Sequence, residues 1–228
     1  MILDWYRDQS QRCRRRVLSL LEKNQDARVI DLGCGNGMFT AEIGKAIGSA
    51  HLYGVNIEAN HCREAEDRSI NALCADLNNP LPLKDESFDV VHVHEVMEEL
   101  YATDTFVKEI YRMLKYGGYA VLTLPNMASI HNVFFLCMGW QPTTAHVSDK
   151  VLLGNPYNRG GRISEHRANV RSYTYYGLKE LFEYYGFKVE RIVGIGYFMF
   201  PNKISPFMSA IDPRHSNRLI IKVRKNSR

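Results

Sequence analysis

Asp31, Gly33, Gly35 and Gly37 alternate with other residues in VIDLGCGNGMF, Val29 to Phe39, directly after a short apolar run. Glycine lets backbone approach a ligand closely and tolerates positive φ. A helix starting near Gly37 would offer unpaired N–H groups and the positive end of its dipole. Together these features can receive a carboxylate or a phosphate. The dinucleotide fingerprint is G-x-G-x-x-G, whose third small residue allows tight helix–strand packing. Counting from Gly33 gives Gly35 and then Met38, so that third position fails, which argues against a nicotinamide-dependent dehydrogenase. Further along, HVHE (His92 to Glu95) puts two imidazoles on one face of a strand. No third ligand follows from the spacing, so no metal is assigned. Cys34 reads as a small loop filler, since nothing near it in sequence would activate a thiolate.

The elements that must position these residues follow a regular rhythm. RVIDL, HLYGVNI, INALCAD, FDVVHVH, GYAVLTL, FKVERIVGI and RLIIKV are short, rich in Val, Ile, Leu or Tyr, and bounded by Gly, Pro, Asn or Asp. They read as seven strands. Helical patterns lie between them, from Gly37 to Ile47, Ala59 to Arg68, about Ala102 to Leu114, and Tyr175 to Tyr185. Gly186 stands at the position of a C′ glycine. Another helix, about Asp4 to Leu21, precedes the first strand. This alternation predicts an α/β, Rossmann-like fold, a seven-stranded and mostly parallel sheet with helices on both faces. Ligands of such sheets bind beyond the carboxyl ends of the strands. From Pro125 to about Arg171 the rhythm breaks, which suggests a functional lid or an insertion with short helices of its own. Residues 1–228 are read as one domain carrying that insertion at about 125–171.

Composition narrows the class. The chain has 228 residues, 45% hydrophobic and 24% charged, which suits a soluble α/β domain with a sizeable core. Its net charge of +4 is no nucleic-acid signature by itself, although RCRRR (Arg12 to Arg16) and the tail KVRKNSR concentrate positive charge. These runs fit solvated surfaces, or a phosphate-bearing or anionic-lipid partner. The five cysteines are odd in number, scattered and free of C-x-x-C pairs, which favours a reducing compartment. The N-terminal stretch lacks the apolar core of a signal peptide. No segment approaches the ~18 uncharged apolar residues of a membrane span. A cytoplasmic protein is expected, with peripheral membrane contact left open.

Taken in order, VIDLGCGNG, YGVNIE, CADLNNPLPLKDESFDVV and EIYRMLKYGGYAVLTLPN resemble the class I S-adenosylmethionine-dependent methyltransferases, most closely the small-molecule branch called methyltransferase type 11. The resemblance covers about Val29 to Asn126 and continues weakly through YTYYGLKELFEYYGFKV. The PN-x-x-S-x-x-N opening of the insertion and its MGWQP also look like a methyltransferase-like family associated with methionine biosynthesis. What the resemblance implies is a cofactor, S-adenosyl-L-methionine, with S-adenosyl-L-homocysteine as product. Asp31 would attract the amino end of the cofactor, while Gly33, Gly35 and Gly37 let backbone lie against its methionine portion. The family's acidic ribose ligand falls on Asn56, next to Ile57. An amide there loses the charge-assisted part of the bond, and Glu58 is the substitute. Asp76 matches the carboxylate that accepts the adenine amino group, with Leu77 supplying backbone N–H. His94 matches a position whose backbone lines the cofactor cleft.

Methyl transfer from a sulfonium is an in-line displacement at carbon, for which alignment supplies most of the catalysis. An oxygen or nitrogen nucleophile can also need to lose a proton. His94, Glu95, His131, His146 and His166 are the candidates, and none is singled out. Many relatives carry V-x-E-H-L after the fourth strand; this chain has VMEEL, with Glu99 in the histidine position. The catalytic base therefore stays unassigned. The N/D-P-P-Y motif of adenine-N6 enzymes is missing after the fourth strand, and NPY at Asn155 to Tyr157 is misplaced and one proline short. The expected function is methyl transfer to oxygen, nitrogen or carbon of a small-molecule or lipid-linked acceptor. Tyr157, Arg159, Arg162, His166 and Arg167 are candidates to meet an anionic group on it, or form a solvated loop. The alternatives are a catalytically weak cofactor-binding partner protein, suggested by Asn56 and Glu99, and an RNA methyltransferase, suggested by RCRRR.

Overall fold

Val29–Leu32 forms a strand (β1) whose four residues are all buried, because apolar helices cover it on both faces. In the computed structural model, residues 2–158, 160–163, 168–198, 200–201 and 203–226 are described, with backbone only for 2–7. Arg159, His166 and Arg167 lie outside the described residues. The order is α1 (Ile2–Leu18), β1, α2 (Met38–Ile47), β2 (Leu52–Asn56), α3 (Ala59–Glu66), β3 (Asn71–Cys74), β4 (Phe88–His94), α4 (Thr103–Met113), β5 (Leu114–Pro125), α5 (Ile130–Cys137), α6 (Tyr175–Tyr184), β6 (Phe187–Ile195), α7 (Ser205–Ile211) and β7 (Arg218–Lys225). All seven expected strands form one sheet in the order β3-β2-β1-β4-β5-β7-β6. Only β7 runs antiparallel to its neighbours β5 and β6.

The period-two alternation of the strands sorts their side chains into two apolar layers. Val29, Val90, Val121 and Ile220 face one side, where Cys13 and Val17 of α1 and Phe39, Ile43 and Ile47 of α2 pack. Ile30, Leu32, Val91, Val93, Leu122 and Ile221 face the other, under Phe106, Val107 and Ile110 of α4 and Leu178 and Phe182 of α6. Met97 and Met113 belong to this second layer. Gly186 has φ +85° and ends α6 by donating its N–H to the Glu183 carbonyl, as expected of a C′ glycine.

After β5 the chain does not cross directly to α6. Asn126 donates from its side-chain amide to the carbonyls of Arg214 (2.7 Å) and Ser216 (2.8 Å), fixing the start of this segment to the end of the molecule. The helix α5 then forms in the stretch HNVFFLC. Asn132 within it accepts from the Thr143 backbone N–H (3.0 Å) and donates to Thr144 (2.9 Å), folding the following loop back. The segment closes where Met127 N–H donates to the Tyr173 carbonyl at 2.8 Å. No helix among the described residues is long and apolar enough to cross a membrane.

Candidate cofactor cleft

The strand order reverses direction between β1 and β4, so the loops after them diverge and leave a crevice at their carboxyl ends. A cavity of about 1340 Å³ lies there. Drug-sized ligands occupy pockets of roughly 300–1,000 Å³, so this one has room for a cofactor and a second molecule. Asp31, Gly33, Gly35, Asn56, Ile57, Asp76, Leu77 and His94 all line it. Four loops far apart in sequence are thus brought together.

Gly37 lies outside that lining. It adopts φ +78° as the residue before α2, and a Cβ there would meet Ile70 Cδ1 at 2.6 Å and Ala65 at 3.1 Å. Close packing of α2 on α3 therefore calls for this glycine in its own right, apart from the expected approach of its backbone to a ligand. Gly35 is the reverse case. Its φ is +53° and a Cβ would meet nothing within 4 Å, so a side chain would project into open space beside the cleft.

Asp31 is 3% exposed, and both carboxylate oxygens are engaged within the protein. Oδ2 accepts from the Thr40 hydroxyl at 2.5 Å, and Oδ1 lies 2.7 Å from His92 Nδ1. Burial alone would raise its pKa; His92 beside it outweighs that and holds the carboxyl below the usual range. Asp31 therefore supplies fixed negative charge beneath the glycine loop. Asn56 Oδ1 accepts from the Glu58 backbone N–H at 2.8 Å, a turn that leaves the amide donors free to face the cleft. Asp76 likewise accepts from the Asn78 backbone (2.9 Å) and the Asn79 amide (3.3 Å). Met38 N–H, at the start of α2, is taken by the Asn36 side chain at 3.2 Å.

Of the proton-transfer candidates, only His94 and Glu95 line the cleft among the described residues. The His94 ring sits against Phe39 and stacks on His92, and its buried Nδ1 has no hydrogen-bond partner. Burial pushes the imidazole down to about 4, so it is neutral near pH 7 but a weak base. Glu95, at φ +52°, is ion-paired with Arg218. Burial works to raise its pKa, but the guanidinium prevails and keeps it ionised. His131 is buried away from the cleft, Nε2 lying 3.2 Å from the Thr143 hydroxyl, and His146 accepts from the Asn169 N–H. Burial drives the Cys34 thiol up to about 12, with Asp31 adding to the effect, so no thiolate forms there. Asn155 of NPY is a structural turn residue, donating to the Gln141 carbonyl and accepting from Tyr157 N–H.

Glu98 was not among the sequence candidates. It lines the cleft, is 4% exposed, and its Oε2 has no hydrogen-bond partner. Burial, followed by the neighbouring Glu95 carboxylate, pushes its pKa well above the usual carboxylate range. In VMEEL it is one of two adjacent glutamates; both line the cleft, and the turn Met97–Glu99 buries Glu98 the more deeply of the two. The sign of the linkage is fixed by that shift. The folded state keeps the proton while the unfolded chain releases it at the ordinary value, so stability falls as pH rises from about 4.5. Glu98→Gln is expected to raise the urea midpoint at pH 8 relative to the parent and to leave it little changed below pH 4.5. An equal effect at both pH values would mean that Glu98 is ionised in the fold.

The far wall comes from the segment after β5: Thr143, Thr144, Asp149, Lys150, Arg162 and Val170 line the same cavity. Among the described residues, no group of three His, Cys, Asp or Glu side chains is placed to hold a metal ion.

Solved structures that share this fold include several described as S-adenosylmethionine-dependent methyltransferases. Residues 30–122 match a family model described as a methyltransferase domain. Over those residues the chain is similar to the S-adenosylmethionine-dependent methyltransferases, a family whose cofactor is S-adenosyl-L-methionine. It is 32% identical over 108 residues to the bifunctional methionine biosynthesis protein MetXA/MetW of Rhodopirellula baltica, covering 44% of this chain and 17% of that one. It is 28% identical over 145 residues to the ubiquinone biosynthesis O-methyltransferase of Parvibaculum lavamentivorans, covering 60% and 57%. The chain thus spans little more than half, or far less, of these relatives. A methyltransferase crystal structure from Thermotoga maritima, described as a possible histamine N-methyltransferase, shares the fold with a TM-score of 0.64. It is 20% identical, with 93% and 87% of the two chains covered.

Proposed function

We propose that this protein transfers the methyl group of S-adenosylmethionine to oxygen, nitrogen or carbon of a small-molecule or lipid-linked acceptor. One observation carries this reading: a single cavity, larger than a cofactor needs, has the glycine loop, Asn56 and Asp76 on one side and the insertion on the other. Residues 1–228 are read as one methyltransferase domain in which 125–171 forms the acceptor wall. The two named relatives of comparable activity act on small molecules by their descriptions, an O-methyltransferase and a possible N-methyltransferase, which supports the acceptor class. The five free cysteines support a cytoplasmic setting.

The donor set fits the cofactor. Gly35 leaves space for the methionine portion, the Asn56 amide can donate to ribose hydroxyls, and Asp76 with Leu77 can meet the adenine edge. Ile57, 48% exposed, offers an apolar surface beside them. The bound sulfonium supplies an electrophilic methyl. This chain's part is to hold donor and acceptor in line, which can lower the barrier without a strong base. Neutral His94 and Glu98 line the cleft, so both can shape the space in which an acceptor is held. Transfer of labelled methyl from the cofactor to a panel of phenol, amine and carboxylate acceptors tests the reading. Cofactor binding with no transfer to any of them, together with a co-purifying protein, would replace it by the non-catalytic alternative.

Asn56 tests the ribose contact separately. Asn56→Ala should weaken S-adenosylhomocysteine binding by ~0.5–1.5 kcal/mol, the usual worth of a hydrogen bond. Asn56→Asp keeps an oxygen for the Glu58 N–H and should retain or tighten binding. Unchanged calorimetric affinity in both variants would move the contact elsewhere, with Glu58 the next residue to change.

A further inference from the structure

RCRRR has no part in the cleft except through Arg14. Its other arginines belong to a second groove, of about 570 Å³, between α1, the edge strand β6 and α7. Arg12, Arg15 and Arg16 recur at helical spacing on one face of α1, and Arg191 of β6 stands across from them. Arg12 is ion-paired with Asp8, and among the described residues the Arg15 guanidinium donates only to the Gln11 side-chain oxygen, at 3.5 Å. Arg16 and Arg191 have no carboxylate partner among the described residues. Beside this groove, α7 turns Ser205 and Ser209 inward and leaves Ile204, Phe207 and Ile211 exposed by 47%, 65% and 64%. These three recur at i, i+3 and i+7, one apolar stripe directed away from the sheet.

We propose that α1, β6 and α7 form a docking surface for an anionic lipid bilayer. A stripe of large apolar side chains beside uncompensated arginines is the complement of a membrane interface, where acyl chains receive the apolar face and anionic headgroups the cations. The stripe favours lipid over nucleic acid, which would call for a polar, hydrogen-bonding face or stacking platforms in place of aliphatic side chains. Gly194 and Ile195 end β6, which runs parallel to β5 through β7, so the surface borders the same carboxyl edge of the sheet as the cleft. α1 joins the two sites, with Arg14 lining one and its neighbours the other.

The test is sedimentation of the full chain with phosphatidylcholine vesicles and with vesicles in which about a third of the lipid is phosphatidylglycerol. The expected result is binding to the anionic vesicles, lost at high salt because surface charges are then screened. One basic residue near such a surface contributes about fivefold in partitioning, so Arg16→Glu with Arg191→Glu should lower it by more than about twentyfold. Phe207→Ser with Ile211→Ser should also lower it, while leaving the salt dependence in place. Circular dichroism confirms that each variant folds. Absence of sedimentation, equal sedimentation with neutral vesicles, or unchanged sedimentation of both folded variants overturns the proposal. So does salt-dependent binding of a single-stranded RNA without vesicle binding, which would assign the arginines to nucleic acid. None of these outcomes depends on methyl transfer.

Discussion

Gly35→Val is expected to abolish S-adenosylhomocysteine binding in isothermal titration while leaving a folded protein. The substituted side chain would have two effects. At φ +53° a β-branched residue is strained, on the order of 1–2 kcal/mol, which lowers stability without unfolding most domains. Its methyl groups would also enter the open space beside the cleft, where the methionine portion of the cofactor is proposed to lie. Gly35→Asn separates the two effects, because asparagine tolerates positive φ but still carries a side chain. Both variants should lose more than a hundredfold in affinity, about 2.7 kcal/mol. Parent-like affinity in either folded variant would remove the glycine loop from the cofactor site. Gly37→Ala should act differently: its Cβ meets Ile70 and Ala65, so its cost falls on stability.

How far the sequence disclosed this arrangement varied with the range of the interaction involved. The seven strands and the helices between them were legible because alternation of apolar residues and glycine punctuation are local properties. The antiparallel placement of β7 was not, since strand direction within a sheet depends on where the chain returns, here through the Asn126 amide to the Arg214 and Ser216 carbonyls. Eight of the nine residues named for the cofactor do line one cavity; Gly37 does not, because packing and ligand approach call for the same residue type. The internal engagement of Asp31 by Thr40 and His92 joins residues nine and sixty-one positions away, and no spacing rule announces it. Glu98 escaped notice for a related reason. Its burial is produced by the chain returning at Val170 and Arg171, whose N–H groups donate to the Glu98 carbonyl. The helix α7 is only seven residues long, so its i, i+3, i+7 stripe, which begins at Ile204 just before it, spans too short a stretch to mark a helix in the sequence.

Shortening the insertion is expected to separate cofactor binding from transfer. The ends of the segment are already adjacent, since Asn126 pairs with Tyr173 and Met127 N–H donates to the Tyr173 carbonyl. A glycine linker replacing residues 130–168 would therefore join positions the fold already holds together. It would keep the Asn126 amide bonds to Arg214 and Ser216 and the Val170 and Arg171 bonds to Glu98. It would remove Thr143, Thr144, Asp149, Lys150 and Arg162, the far wall of the cavity, together with the aromatic cluster of Phe135, Trp140 and Tyr157 that backs it. Gly35, Asn56 and Asp76 sit on other loops and keep their surroundings, so S-adenosylhomocysteine affinity should stay within about threefold of the parent, ~0.7 kcal/mol. Transfer should fall below detection, because an acceptor without its wall is no longer held in line with the methyl group, and alignment of that kind is worth several orders of magnitude in rate. In the intact protein, the same segment should gain protection from hydrogen exchange when cofactor and acceptor are both present, since closing over ligands orders a covering segment. Lys150→Glu with Arg162→Glu offers a milder change in the same wall: if the acceptor is anionic, its KM should rise while cofactor affinity holds. Should the shortened, folded protein methylate its acceptor at the parent rate, the insertion packs the fold and the acceptor site must be sought on the β4 side, around His94 and Glu98.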